Sequence, residues 1–453
     1  MNRIRADWKI FRNSWIESTL NSNITVSLKQ RWIIFLYGLF LAFIRNPNFF
    51  IKPRIWSEEG SVYLKAAYLR PFWDAFFEAH EFGYFNLYTN LSTLIARYAV
   101  SLENVPYVTL FFSFLVIAIP ILLISFGDSD VWDQGYKRVG LITLFLFIQP
   151  GIESWLTLIS SQYYFGIITF VVLLMDFKNI DWKHYVLLGP LLLIATLSGV
   201  MSCIVIPFYL YKGFIEKNKS FMFLSIPLMI GLLIQIQVFF VLIGNSTCPP
   251  SVRFANVGFP LLSFTIMAKN IITPVAGLKI ANEFGSIIRP LFEDRGILFY
   301  LALSFTLIFQ TFFFMFLIKN LNKKIKKYGI ILLFLIVIIN VCTMLPPKLM
   351  AISGIGMGRY FLFPNFIMLV ALFMVFQETI KDIYRDHSIT ISRFVFSFLF
   401  FLSIINGLGS YRINNHQFRH SPDWRKEAAL FKNNPKKQSI LIWGQGHWEI
   451  KLR

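Results

Sequence analysis

Apolar stretches close to the length of a bilayer span recur along this 453-residue chain from end to end. A helix needs about 20 predominantly apolar residues to cross the hydrocarbon core, at 1.5 Å of rise per residue. Charge is correspondingly sparse: 15% of residues are charged, 56% hydrophobic and 18% aromatic, with a mean hydropathy of +0.60. Soluble domains lie nearer ~45–50% apolar and ~25% charged. The chain reads as an all-α polytopic membrane protein.

The spans fall at about 32–44, 105–126, 139–150, 156–175, 185–198, 200–211, 221–243, 297–318, 329–345, 360–377 and 394–409. That is about 11 transmembrane helices, with 10 or 12 as the alternatives. Residues 1–31 are polar and basic, and no small-residue cleavage site follows the apolar run. They are expected to be a cytoplasmic N-terminus ahead of a retained first span. Lys212, Lys217 and Lys219 then fall inside, as do Lys319, Lys323, Lys324, Lys326 and Lys327. Residues 32–409 form the membrane domain, with large outer loops expected at 45–104 and 244–296. In the first loop Val62, Leu69, Phe72, Trp73, Phe76 and Phe77 make amphipathic helices suited to the interface. An 11-span count leaves the tail 410–453 outside although it carries nine Lys or Arg; long segments weigh little in the orientation rule. Ser198-Gly199 and Pro207 interrupt the middle pair of spans, and such backbone at membrane depth needs protein or water around it.

Several function classes drop out. The net charge of +19 does not point to nucleic acid, because the bases flank spans, where they orient the chain and meet anionic headgroups. Cys203, Cys248 and Cys342 lie far apart without CxxC spacing, against a disulfide framework or a zinc site. His80, His184, His387, His416, His420 and His447 have no ligand spacing, so neither metal nor cofactor is expected and a divalent ion has no residue in its favour. No Gly-rich phosphate loop stands between a strand and a helix. Asp128-Ser129-Asp130 has the DxD form of a metal and nucleotide-sugar site, but a short cytoplasmic loop cannot enclose a nucleotide, which favours a solvated turn.

One stretch stands out against this background. Trp56-Ser57-Glu58-Glu59-Gly60 places two adjacent carboxylates just beyond the first span, in a chain with only 24 acids. Neighbouring carboxylates at a low-dielectric surface resist ionising together, so one apparent pKa rises and a general base becomes available. The plain alternative is a hydrated turn.

Residues Pro53-Arg54-Ile55-Trp56-Ser57-Glu58-Glu59-Gly60-Ser61-Val62-Tyr63, followed by Ala66, resemble the first outer loop of GT-C class multispanning glycosyltransferases. Gly83-Tyr84-Phe85-Asn86-Leu87 and Leu102-Glu103-Asn104-Val105-Pro106 are similar to segments of phage and bacterial O-antigen serotype-conversion glucosyltransferases. Glu153 with Gln162, and Arg359-Tyr360, also fit. The resemblance covers residues 45–165 and scattered points beyond. It implies a GT-C-like helix bundle in a bacterial inner membrane, with the active site facing the periplasm. It also implies inverting transfer of a sugar, with glucose the expected one, from polyprenyl phosphate to a surface polysaccharide such as O-antigen. Its acid motif implies Glu59 as the base, four residues before Tyr63, with Glu58 as the other candidate.

The donor in such a scheme is already activated on lipid, so no nucleotide site is needed. Guanidinium forks match phosphate, which nominates Arg359, Arg54, Arg289 and Arg97, the outer arginines nearest span ends. Gly354-Ile355-Gly356-Met357-Gly358 before Arg359 would let backbone approach a phosphate; otherwise it is a flexible connection. The remaining arginines also suit plain interfacial anchoring. Glu153, Trp155 and Gln162, with Trp56 and Tyr63, are the candidates for sugar and acceptor contacts; a lone acid such as Glu153 also suits a helix cap. His416, His420 and Trp424 of the tail could touch an acceptor saccharide. Two competing classes are an O-antigen polymerase, relying on arginines of later outer loops, and a flippase for lipid-linked saccharide. The second would call for repeated halves and intramembrane charge.

Overall fold

The computed structural model describes residues 26–80, 83–149, 154–177, 182–245, 258–321, 323–343, 358–384, 389–411, 422–442 and 448–452. It is a helical membrane bundle. Helix α1 (Leu28–Ile44) begins at a capping box, in which Ser27 Oγ accepts from the Gln30 N–H and the Gln30 side chain accepts from the Ser27 N–H. Loop one follows: a π-helical turn over Glu59–Leu64 runs into the helix Lys65–Leu69, and a short helix over Phe72–Phe76 leads to a hairpin. In that hairpin β1 (Ala79–His80) pairs antiparallel with β2 (Tyr84–Phe85). Asn86 then caps α2 (Leu87–Ala99) through the Thr89 N–H.

The helices of the bundle are α3 (Val105–Phe126), α4 (Gly135–Phe147), α5 (Ser161–Leu174), α6 (Trp182–Leu197) and α7 (Lys219–Asn245). They continue with α8 (Phe259–Ala276), the amphipathic α9 (Leu278–Asp294), α10 (Ile297–Asn320), α11 (Lys323–Thr343), α12 (Gly358–Tyr384) and α13 (Ile391–Gly409). Among the described residues six helices are long and apolar enough to cross a membrane, and three apolar ones are shorter. At the centre stand α5, every residue of which is buried, and α12. The rest wrap these two and leave large apolar side chains such as Phe240, Phe305 and Phe394 on the outside, as a lipid-facing surface requires. The broken middle pair is present: after α6 the chain turns at Gly199 (φ +134), where Gln162 packs so closely that no side chain fits, then passes through Cys203–Val205 and Ile206–Leu210.

Residues 244–296 differ from the outer loop expected there. Phe259–Ala276 is an apolar helix packed on α12 and α13, its middle wound as a π-helix over Ile266–Ile272. Lys269, Asn270 and two prolines mask its hydropathy, yet Asn270 is satisfied inside the bundle. It donates to Asn365 (2.8 Å) and accepts from Asn340 (2.7 Å), and interhelical hydrogen bonds of this kind let polar residues sit at membrane depth.

The tail folds back onto loop one. Asp423 caps α14 (Trp424–Asn433), and β3 (Ser439–Leu441) pairs with β4 (Glu449–Lys451). Trp424, Ala428, Ile440 and Ile450 are buried against Ile55, Leu64, Ala96 and Val105. Trp424 is thus in a core, its Nε1 donating to the Leu102 carbonyl at 2.8 Å, and the saccharide contact suggested for it is withdrawn. Tail and loop one share one face of the bundle.

Candidate functional site

The acidic stretch folds into a strained turn. Ser57 has φ +30, a region that non-glycine residues seldom occupy, and outliers of this kind concentrate where function over-determines the backbone. Gly60 follows because nothing larger fits: a Cβ there would lie 2.7 Å from Ile450, 2.8 Å from Ile442 and 2.9 Å from Ile55. The tail therefore presses directly on the turn that carries the two carboxylates.

That turn sends the carboxylates to different places. Glu58 meets Arg359, at the start of α12, in a two-pronged ion pair: Nη2 to Oε1 at 2.7 Å and Nη1 to Oε2 at 3.1 Å. Ser57 Oγ donates to Oε2 at 2.7 Å. The side chains of Arg359 and Glu58 keep 15% and 19% exposure. Four tyrosines gather around this pair, Tyr360 from α12 itself, Tyr63 from the π-turn, Tyr84 from β2 and Tyr163 from α5. Tyr360 lies 5.3 Å from the Arg359 guanidinium and Tyr163 of α5 packs edge-on to Tyr360 at 5.6 Å. Tyr63 and Tyr84 share the electrostatic environment of Glu58 and Arg359. His80 stacks flat on Tyr84 at 4.9 Å and lies 6.2 Å from Tyr63.

Glu59 points elsewhere. It is 2% exposed, with Thr109 and the backbone at Trp56 and Leu158 as partners and Arg54 nearby. The Arg54 guanidinium is itself buried, between the rings of Phe49 (4.2 Å) and Trp56 (4.7 Å).

The electrostatics separate the two acids. Burial pushes the Glu59 carboxyl up to about 7, against the pull of Thr109, the backbone and Arg54. Burial also opposes ionisation of Glu58, but the hydrogen bonds and charge of Arg359, with Ser57, win and hold it down at about 2. Burial raises the phenols of Tyr63 and Tyr84, so both remain neutral donors. The result is an ionised carboxylate and a guanidinium fork inside a wall of aromatic faces and hydroxyls. Such a wall can hold a sugar, and the fork suits a phosphate.

Of the residues nominated from sequence, the fold brings together Glu58, Arg359 and Tyr63, with Glu59, Arg54 and Trp56 on the adjoining buried side. Gln162 lies one residue before Tyr163 and is engaged with Gly199. Three others are set apart. Trp155 is 1% exposed and carries the Arg45 guanidinium on its ring at 4.4 Å, so its face is taken. Arg97 donates to the carbonyls of Ala67 and Arg70 and braces loop one. Arg289 is exposed on α9 and pairs with Glu293 at 3.3 Å. Glu153 and residues 354–357 lie outside the described residues. Asp128 lies in an exposed turn, as expected for a solvated DxD stretch, its side chain 66% exposed; Arg31 (2.7 Å) and Arg138 (3.0 Å) both donate to it, at the far end of α3 from loop one. Tyr163 and the hairpin residue His80 were not nominated; their types carry no signal until the fold sets them beside Arg359.

Comparison of the chain with protein-family models, with curated proteins and with solved structures finds no match.

Proposed function

We propose that this protein is an inverting, membrane-embedded glycosyltransferase that moves a sugar, glucose being the expected one, from polyprenyl phosphate to a surface polysaccharide such as O-antigen. The observation that carries the reading is the Glu58–Arg359 pair, which joins loop one to α12 within a ring of tyrosines. Glu58, not the buried Glu59, is the carboxylate that faces this ring, so Glu58 takes the role of general base. The acceptor hydroxyl gives its proton to Glu58 while its oxygen attacks the anomeric carbon. The bond from that carbon to the phosphate oxygen breaks on the opposite face, and its electron pair leaves with the lipid phosphate. Arg359 receives the departing charge. At rest the pair keeps Glu58 a weak base, at about 2. A donor phosphate competing for Arg359 would loosen the pair and make the carboxylate more basic, coupling donor binding to activation. Glu59 supports the buried Arg54 and does not touch substrate. In this reading the protein sits in a bacterial inner membrane, and loop one and the tail face the periplasm.

The test is sugar transfer in membranes supplied with polyprenyl-phosphate glucose. Glu58→Gln is expected to lower transfer about 10²-fold or more, the usual contribution of a general base, while Glu59→Gln retains most activity. Full transfer by Glu58→Gln at normal membrane abundance overturns the mechanism. A flippase reading draws on Lys269, which is buried within α8. Its mark would be movement of labelled lipid-linked saccharide across liposomes without bond formation.

A further inference from the structure

The helical segment that carries Glu58 has a second face. Glu59, Gly60, Tyr63, Leu64 and Ala67 turn inward and are buried, whereas Ser61, Val62, Lys65, Ala66 and Leu69 line a groove of about 860 Å³. The opposite wall comes from α7, through Gln237, Val238 and Val241. Between the walls lie Arg70, Asp74, Phe77 and Glu78.

The groove touches the Glu58 site through a thin partition. Val62 faces the groove and Tyr63 the site; Ala79 faces the groove and His80, next along β1, stacks on Tyr84 in the site. Along β1 successive side chains thus alternate between the two spaces, while the helical segment turns one face to the groove and another to the site.

The lining chemistry narrows the occupant. Lys65 and Arg70 are balanced by Asp74 and Glu78, and Arg70 pairs with Glu78. A wall of zero net charge gives no advantage to a bare phosphate or carboxylate. It offers both donors and acceptors, which a hydroxyl-rich head satisfies because each hydroxyl donates and accepts. Across from these groups Val238 and Val241 continue into the lipid-facing side of α7, where Phe240 is exposed. Gln237, exposed at the same end of α7, adds an amide. A polar wall facing an apolar one at the edge of a membrane helix fits an amphiphile.

The geometry points to this groove as the seat of a glycolipid, with an uncharged saccharide head between Ser61, Lys65, Asp74 and Gln237 and its apolar chain along the outer end of α7. The binding stands by itself. Its place in transfer, holding a lipid-linked acceptor beside Glu58, rests on the glycosyltransferase reading above.

The test uses the full chain in nanodiscs and a monoglucosyl diacylglycerol with a photoreactive acyl chain. The control is phosphatidylglycerol bearing the same chain. The glucosyl probe is expected to label peptides spanning 61–79 or 237–241 at least about 10-fold more than the control, the ratio that corresponds to roughly 1.4 kcal/mol of selectivity. The pair Asp74→Ala with Gln237→Leu removes hydrogen-bonding groups from a solvent-lined surface, and Ser61→Trp fills the space; either should abolish the excess. Glu58→Gln should keep it. Equal labelling by both probes, adducts elsewhere in the chain, or excess labelling that survives both groove variants overturns the assignment. No excess labelling of the parent protein, with transfer intact, removes the groove and leaves the transferase reading. Labelling intact with full transfer by Glu58→Gln removes the transferase reading and leaves the groove.

Discussion

Replacing Arg359 by Gln takes both guanidinium donors from Glu58, and burial, the largest influence on that carboxyl, then acts with little to oppose it. The two side chains are only 15% and 19% exposed, so water screens the pair weakly. A carboxyl at about 2 instead of 4.5 corresponds to about 3 kcal/mol favouring the ionised form in the fold, at ~1.4 kcal/mol per unit. The folded value lies below the unfolded one, so this contribution is complete above about pH 4.5 and is lost as the pH falls towards 2. Arg359→Gln is therefore expected to cost about 3 kcal/mol at pH 7, at the low end of the ~3–5 kcal/mol for breaking a buried pair. The penalty should shrink at pH 4, where the freed carboxyl takes up a proton. The assay is denaturant unfolding in detergent micelles followed by tryptophan fluorescence, for the parent, Arg359→Gln, Glu58→Gln and the double variant. With Glu58 already neutral, the arginine substitution should cost only about 1 kcal/mol, an ordinary hydrogen bond, leaving a coupling of about 2 kcal/mol. Losses that add to within about 0.5 kcal/mol would show that the pair does not organise the site.

Glu59 carries the opposite sign. Its folded value, about 7, exceeds 4.5, so its ionisation subtracts stability progressively from about pH 4.5 and fully above 7. Glu59→Gln should gain on the parent as the pH rises from 5 to 8, and a flat difference across that range would refute the buried placement. Gly60→Val would drive methyl groups into Ile442 and Ile450; overpacking of this kind costs about 1–3 kcal/mol, and limited proteolysis should show the tail cut sooner than in the parent. Gln235 accepts from the Phe85 N–H and donates to the Phe85 and Thr196 carbonyls, each at 2.9 Å, pinning β2 to α7. Gln235→Leu strands these backbone groups at about 1–3 kcal/mol, and faster hydrogen exchange at Phe85 is the expected sign.

Much of the bundle is legible in local sequence. The span expected at 105–126 is the helix Val105–Phe126, and that at 297–318 lies within Ile297–Asn320. The helix at Phe259–Ala276 is not legible this way, because Lys269 and Asn270 lower its hydropathy and their compensation comes from Asn340 and Asn365, far along the chain. The tail hides for a similar reason: strands of three residues have no periodicity to read, and their burial depends on Ile55, Leu64 and Ala96. Arg54, Arg97, Arg289 and Arg359 are the same residue type near span ends, and only packing tells them apart. One is held between rings, one is tied to carbonyls, one is exposed on α9, and one forks onto Glu58.

By itself the sequence determined that this is a helical membrane protein and that an acidic turn lies shortly after the apolar stretch at 32–44. Transfer of a side chain into hydrocarbon is a local free energy, summed residue by residue along a span. Tertiary structure alone decided which carboxylate is available and which arginine meets it. The cost of a buried charge is set by partners in space, and Arg359 stands 301 residues from Glu58 along the chain.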